Sequence, residues 1–530
     1  MDKKLLTAIL LSLGTVWLFN YYFSSKSVNV TQGGAVQVGS QEAAPGKPVQ
    51  VAATEVLYKP LRLDVGFADK KTSGSEQLIA VDTPHVHAVF STNGGSLATL
   101  DFKDFQGKNK TPLRTVYTKG AFEDGQREQT AFLIAFDKQT PYLYTFEGKQ
   151  AVQGRTEVSF KAVGDLCTVH KTYKLYDDTF KCDLSITIEP HTADGVTPRL
   201  MIPAPYLHEL NEDTLSVVAW DEQRQSVEKQ ELAQSIRMAW FWLEKRPLFG
   251  IEDRYFAHAL TTDTNGFVQR AYVKRFQVGA ASILEGPTIT QKTSWDLSFY
   301  LGPKRYNQLY DVDERLVDLM SFGWLSALCK LLLRFLDYLY TLIGNFGWAI
   351  IIMTILLRLP FVPFFIRGRR KMEIFQRYQP ALNHIRTKYR HDSAMMQQEM
   401  MRFFQEHNIS PTMQFSAMLP QILTMPILFA LYRVLSNYID LYQAPFGPWI
   451  HDLSAKDPFY ILPVIMCLSM IWQQSLAPVS DEKQRIPMLF FSVVVAVIFA
   501  SFPAGLVLYW LMNNLLAIAE DYYRKIFARK

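Results

Sequence analysis

Residues 346–366 read Phe-Gly-Trp-Ala-Ile-Ile-Ile-Met-Thr-Ile-Leu-Leu-Arg-Leu-Pro-Phe-Val-Pro-Phe-Phe-Ile. As a helix rising about 1.5 Å per residue, such a run is long and apolar enough to cross a hydrocarbon core of about 30 Å. Arg358 interrupts it, and Pro360 and Pro363 follow. An arginine at membrane depth costs about 2.5–3.5 kcal/mol on insertion scales, so it faces protein or a water-filled cavity, or it snorkels to the interface. Thr354, one helical turn earlier, shares its face and extends the polar strip. Snorkelling must reach the basic run that starts at Arg367, roughly 13 Å along a helix, unless the prolines bend the chain and shorten the path. The first reading makes this stretch a polar site inside a membrane.

A chain of 530 residues exceeds one ordinary core and implies at least two domains. Residues from about Val30 to Tyr310 are mixed polar and aromatic, whereas those from about Phe322 onward are dominated by apolar runs. A net charge of +5 is modest for this length, so the placement of charge matters more than its sum. The four cysteines form no metal pattern. Cys167 and Cys182 lie in the polar half, where they could pair outside the cytosol, while Cys329 and Cys467 lie in apolar stretches. His85 and His87 alternate onto one strand face without the third ligand a metal needs. No P-loop, zinc His-Glu-x-x-His or Gly-x-Ser-x-Gly elbow occurs, so the sequence offers no catalytic residue, metal site or cofactor.

In chain order, a short basic flank precedes an apolar run, Leu5 to Phe23, that ends in an aromatic belt. Residues 1–23 therefore read as an uncleaved signal anchor with its N-terminus in the cytoplasm, cleavage after Ser24 being the alternative. Residues 24–55 read as a flexible linker. From 56 to 320 the pattern is all-β. Strands are expected at His85–Phe90, Ser96–Phe102, Ala131–Phe136, Tyr142–Phe146, Thr156–Ala162, Cys167–Leu175, Phe180–Glu189 and Phe267–Val278, with a turn at Asn93-Gly94-Gly95. Many short strands imply a sandwich that binds or scaffolds.

Residues 321–345 contain a helix apolar at 324, 325, 328, 331, 332, 335, 336 and 339, with Lys330, Arg334 and Asp337 opposite. Three charges favour a helix lying in the membrane interface over one that spans. Between 367 and 413, nine Lys/Arg face four acids. Pro380 suits the first turn of one helix, and Asp392 can cap a second whose face includes Met396, Met400 and Phe403. The pair reads as a helical hairpin. Met395, Met396, Met400, Met401 and Phe403, with Arg386, Lys388 and Arg390, could receive varied apolar partners, or the methionines could simply pack the two helices together.

Apolar runs at Phe415–Val434, Phe459–Gln473, Pro487–Phe502 and Gly505–Ala519 complete residues 414–525, followed by a basic tail, 526–530. With the interfacial helix excluded there are six spans and both termini are cytoplasmic. The basic hairpin and tail then lie inside, and the loop with Asp440, Asp452 and Asp457 outside, as the positive-inside rule requires. The fold expected is a polytopic α-helical membrane protein, with a large β-sandwich domain between spans one and two.

The C-terminal half resembles the YidC-type membrane protein insertases, whose superfamily includes the mitochondrial oxidase-assembly and chloroplast Albino insertases. The matching residues are Gly344-Asn345-Phe346-Gly347, Thr354 with Arg358, Gln379-Pro380, and Leu419-Pro420 to Met425-Pro426. They continue through Gln443 to Phe446, Trp449 to Ala455, Asp457-Pro458 to Pro463, and Phe502 to Tyr509. Together they cover roughly 340–525 in order. Asn93-Gly94-Gly95 looks like the start of the large periplasmic β domain of the Gram-negative branch.

The resemblance implies a non-catalytic insertase of the bacterial inner membrane, acting alone or beside the Sec translocon. Its partners would be nascent membrane proteins, the lipid bilayer and, through the hairpin and basic tail, the ribosome, with no specific nucleic acid sequence. It implies a hydrophilic groove containing Arg358 and Thr354, with Tyr509 and Trp510 near the start of the last span. Two departures fall in the third span. Thr424 stands where relatives often have Gln, with Gln421 one turn away, and a common Gly-Gly is replaced within Met413-Gln414-Phe415-Ser416. Two other classes fit an intramembrane charge. An assembly chaperone would hold substrates without inserting them. A solute transporter would be expected to show an internal repeat, and none is convincing between 346–436 and 459–520.

Overall fold

The computed structural model describes residues 76–107, 111–116, 131–136, 142–205, 215–232, 238–241, 248–275, 279–320, 325–407, 413–476 and 482–527. The expected signal anchor, linker, first residues of the β domain (56–75) and last residues of the basic tail (528–530) lie outside them. Two compact units are present: one holds the strands up to Gly302 apart from residues 106–111, and the other holds Gln106–Thr111 and the residues from Pro303 onward.

Nine strands make the largest sheet. In spatial order they are Ser226–Glu231, Ser216–Asp221, Phe249–Glu252, Phe256–Asp263, Thr293–Pro303, Lys181–Pro190, Cys167–Tyr176, Arg155–Val163 and Thr145–Val152. A four-stranded sheet runs Leu78–Asp82, Val86–Ser91, Ser96–Gln106 and Pro112–Val116. A five-stranded one runs Met238–Phe241, Arg270–Arg275, Ala280–Glu285, Pro198–Pro203 and Leu133–Phe136. Along Cys167–Tyr176 every second side chain is buried, the period-2 signature of a strand covered on one face. Aromatic rings close the layers: Phe90 lies 4.8 Å from Tyr173 and Phe102 4.9 Å from Phe256, centroid to centroid. These contacts make the sheets a sandwich.

The Asn93-Gly94-Gly95 turn holds positive φ at both glycines, 76° and 49°, and a Cβ on Gly95 would meet the Tyr144 ring at 2.8 Å. Behind it sits Lys171, fully buried on an inward position of its strand. Its Nζ donates to the carbonyls of Gly94 (2.8 Å), Gly95 (3.2 Å) and Phe132 (2.8 Å).

The cysteine pairing left open by the sequence is excluded by strand register. Cys167 stands opposite Pro190 and Cys182 opposite Leu175, which separates them along the ladder by roughly 26 Å at 3.3 Å per residue. Both are free and buried. His85 and His87 do not converge either: their Nδ1 atoms engage Asp104 (2.7 Å) and Asp82 (2.8 Å) respectively.

The second unit is helical: α1 Tyr306–Val312, α2 Ser326–Ile343, α3 Phe346–Arg358, α4 Val362–Lys388, α5 Ser393–Glu406, α6 Met413–Asn437, α7 Ile461–Leu476, α8 Glu482–Phe499 and α9 Ala504–Phe527. Among the described residues, Phe346–Gly368 is long and apolar enough to cross a membrane, and Ile461–Leu476 and Ile486–Phe499 are shorter apolar helices.

On α2 the buried face is Cys329, Leu332, Leu333, Leu336 and Leu339. Leu331, placed on the apolar face by the sequence, is exposed, as are Tyr338 and Leu342. Asp337 goes the other way, from the expected polar face to a site beneath Tyr438, whose hydroxyl donates to it at 2.5 Å. Arg334 donates to the Tyr306 hydroxyl. Arg305 makes a two-pronged pair with Asp440, which explains why residues just after 302 belong with the helices.

Burial raises the Asp337 carboxyl to about 6, with Asp440 adding to the rise and the Tyr438 bond and Arg305 opposing it. A carboxyl raised in the fold binds more protons than the unfolded chain between about 3.9 and 6, so stability falls as pH rises through that window. Asp337→Asn keeps an acceptor for Tyr438 and removes the buried charge. It should raise the thermal midpoint at pH 7.5 and leave it nearly unchanged at pH 4, and an equal shift at both would refute the assignment.

Candidate functional site

The site is built where α3 ends. Asn345 caps the helix by accepting from the Trp348 amide at 3.2 Å. Gly347 lets the Phe446 ring approach so closely that a Cβ would lie 2.0 Å from it. At the far end, Pro360 has no N–H to continue the ladder, and Leu359–Phe361 tightens to a 3-10 turn. The chain then continues directly as α4, so Arg358 occupies the last residue of α3 at the junction.

Across from it runs α9. Its first amides donate to the carbonyls of Ala455 (Ala504, 2.7 Å) and Leu453 (Gly505, 3.0 Å). The helix is thereby seated on the 443–460 loop, in which Asp457 in turn accepts the amide of Leu462, in the first turn of α7, at 2.7 Å. Gly505 permits close packing, since a Cβ there would lie 3.3 Å from Ile350. This seating turns Tyr509, Asn513 and Glu520, spaced by four and seven residues, onto one stripe.

All three guanidinium nitrogens of Arg358 are engaged by that stripe. Its Nε donates to Glu520 Oε1 at 2.8 Å and Nη2 to Oε2 at 3.3 Å. Nη1 donates to Asn513 at both the main-chain oxygen (3.0 Å) and Oδ1 (3.1 Å). The guanidinium carbon lies 4.7 Å from the Phe365 ring centroid. Each side chain of the Arg358–Glu520 pair is only 11% exposed. Arg358 thus points across to α9 and its charge is matched inside the protein, so snorkelling is not what this structure shows.

The other expected residues divide. Thr354 is buried and its hydroxyl donates to the Ile350 carbonyl at 2.6 Å, so its proton is committed within its own helix. Tyr509 is buried beside Asn513, whose side-chain amide donates to the Tyr509 carbonyl at 3.1 Å. The Trp510 ring packs 4.9 Å from Phe499. Gln421 and Thr424 lie within α6, in the part whose side chains are outside the described residues.

In the hairpin, Asp392 caps α5 by accepting from the amides of Ala394 (3.1 Å) and Met395 (3.0 Å). Pro380, expected at a helix start, lies instead inside α4, because the helix entering from the α3 junction runs on through it. Met395 and Met401 are exposed, while Met396 and Met400 are half-buried. Phe403 stacks on His407 at 4.1 Å and lies 5.9 Å from Tyr378. The hairpin therefore uses one set of these residues for its own packing and presents another, together with exposed Arg386, Lys388 and Arg390.

Glu520 and Asn513 were not singled out from sequence. The apolar run ends at Ala519, one residue short of Glu520. The available signal was spacing: continuing the helix past Ala519 puts an acid on the same stripe as Tyr509 and Asn513, facing an unmatched arginine.

Comparison with known proteins covers both units. The family model described as 60Kd inner membrane protein matches residues 338–529, and that described as YidC periplasmic domain matches 78–335. A membrane protein insertase YidC from Syntrophus aciditrophicus is 30% identical over 99% of each chain. One from Helicobacter pylori is 33% identical over 67% of this chain and 63% of its own. The crystal structure of an active YidC insertase with its first transmembrane domain resolved aligns at 19% identity, covering 85% of this chain and 93% of that one, with a TM-score of 0.38.

Proposed function

The chain belongs to the YidC family of membrane protein insertases, and from that premise we propose that Arg358 is the point at which it receives the polar part of a nascent membrane protein. The observation that carries this reading is a guanidinium held by Asn513 and Glu520 between two helices of an apolar unit. A lone arginine there would be costly, and a matched one is sustainable. Substrate acidic groups reaching it lose less hydration energy than they would in lipid. Where the membrane potential is positive outside, outward movement of each negative charge gains about 2.3 kcal/mol per 100 mV. The substrate's own apolar helix leaves sideways into lipid, driven by its burial. No nucleotide hydrolysis is required.

The finer arrangement belongs to the same proposal: six spans with both ends cytoplasmic, in the bacterial inner membrane. The exposed Met395, Met401, Arg386, Lys388 and Arg390 make the first contact with substrate or ribosome, and the Sec translocon works alongside for larger clients. What supports it is the basic hairpin and the apolar helices either side of it.

The test is reconstitution of the full chain alone in vesicles, with a single-spanning nascent substrate and protease protection as readout. Protected, membrane-spanning substrate is the expected result. Substrate bound but fully digestible would mean a holding chaperone and overturn insertion, and solute flux without substrate would indicate a transporter.

A further inference from the structure

The reading of Arg358 as receptor leaves its partner unexplained. A site that attracts carboxylates by charge already contains one: Glu520 occupies two of the guanidinium donors at 2.8 and 3.3 Å. The pair is neutral, so at rest it presents no net attraction to an arriving acid. The third and fourth contacts, from Asn513, come from a neutral side chain and a main-chain oxygen and leave that balance unchanged.

We propose that Glu520 is the specificity-determining residue of the Arg358 site. Its carboxylate stands in the place a substrate carboxylate takes, and substrate enters by exchanging one for the other. The exchange keeps Arg358 paired throughout, since one carboxylate leaves as another arrives; the released Glu520 carboxylate turns to water admitted with the substrate, and no bond is made or broken beyond hydrogen bonds. It also sets a threshold. A neutral polar segment cannot replace an ion-paired partner, because hydrogen bonds to a charged group are stronger than neutral ones. A carboxylate can. Asn513 holds the guanidinium in place during the exchange. Glu520 is thus a resident competitor, and its loss exposes a permanently attractive cation.

This inference rests on the proposed function, and the experiment separates the two. Full-length protein in vesicles receives two single-spanning substrates that differ only in the translocated segment, one carrying two aspartates and the other two asparagines. Glu520→Gln is expected to lower the concentration of acidic substrate needed for half-maximal insertion by about tenfold, the scale of one charge-assisted hydrogen bond, with a smaller gain for the neutral substrate, which no longer has to displace a charged partner. If wild type inserts neither, the proposed function fails. If wild type inserts both and Glu520→Gln leaves their ratio unchanged, the exchange inference fails.

A second measurement serves if Glu520→Gln does not fold. In Arg358→Lys the introduced amine faces the Glu520 carboxylate, and a carbodiimide can join them as an amide. Acidic substrate should protect against this internal cross-link several-fold more than neutral substrate does. Equal protection by the two would overturn the exchange.

Discussion

Arg358→Ala should cost the helical unit about 3–5 kcal/mol, the usual penalty for removing one partner of a buried pair and stranding the other charge. Glu520 would remain, 11% exposed on α9, with no cation opposite it. Against a total stability of about 5–15 kcal/mol for an ordinary domain, that is a large fraction. A lost insertion activity in this variant would therefore report unfolding as much as lost recognition. The informative companion is Arg358→Ala with Glu520→Gln, which removes both charges and should recover most of the thermal midpoint measured in detergent. The double variant should still fail to prefer an acidic substrate. If single and double variants melt together, the two side chains are not energetically coupled.

What made the site partly legible was the cost of a charge among apolar residues, which singles out Arg358 in any reading of 346–366. Its partner was hidden because it lies 162 positions away and just past the end of an apolar run. A window that scores hydropathy discards the polar residue that ends it. Thr354 shows the converse. Spacing puts it one turn before Arg358, but a hydroxyl can satisfy itself on the carbonyl one turn back, as Thr354 does on Ile350, and no spacing rule reveals which choice it makes.

The same physics sorts the strands. Arg155–Val163, Cys167–Tyr176 and Lys181–Pro190 were found because they are buried on alternate residues. Pro198–Pro203, Phe249–Glu252 and Ala280–Glu285 were not, for their residues are buried nearly throughout and carry no alternation to detect. On α2 the periodicity gave the helix, yet the contact with Tyr438, 101 residues on, decided where Asp337 points. The acidic loop residues that oriented the expected topology also do structural duty: Asp440 pairs with Arg305, and Asp452 and Asp457 accept nearby main-chain amides.

Lys171→Met should be the most damaging conservative change in the β unit. Methionine fills nearly the same space, so no cavity opens, and what is lost is the donor set. The carbonyls of Gly94 and Phe132 each lose a contact of 2.8 Å, whereas Gly95 keeps the Tyr173 hydroxyl at 2.6 Å. The turn cannot swing its carbonyls to water, because Leu133 packs against Gly94 and the Tyr144 ring against Gly95. Two hydrogen bonds are forfeited and two buried carbonyls are left unsatisfied, at about 1–3 kcal/mol each. Relief from burying the polar amine returns part of this, leaving a net loss of about 2–4 kcal/mol by the same scale.

The pH dependence separates that account from a packing defect. Burial pulls the Lys171 ammonium well below its ordinary range. With the folded value depressed, the unfolded chain binds more protons between that value and about 10.4, so stability rises with pH across the window. In the full-length protein, the urea midpoint of the β unit, read by pulse proteolysis, should climb as pH is raised towards 10. In Lys171→Met the midpoint should be lower throughout and lack that climb. A variant that keeps the wild-type slope, or loses no stability, would show that the Lys171 amine does not hold the turn.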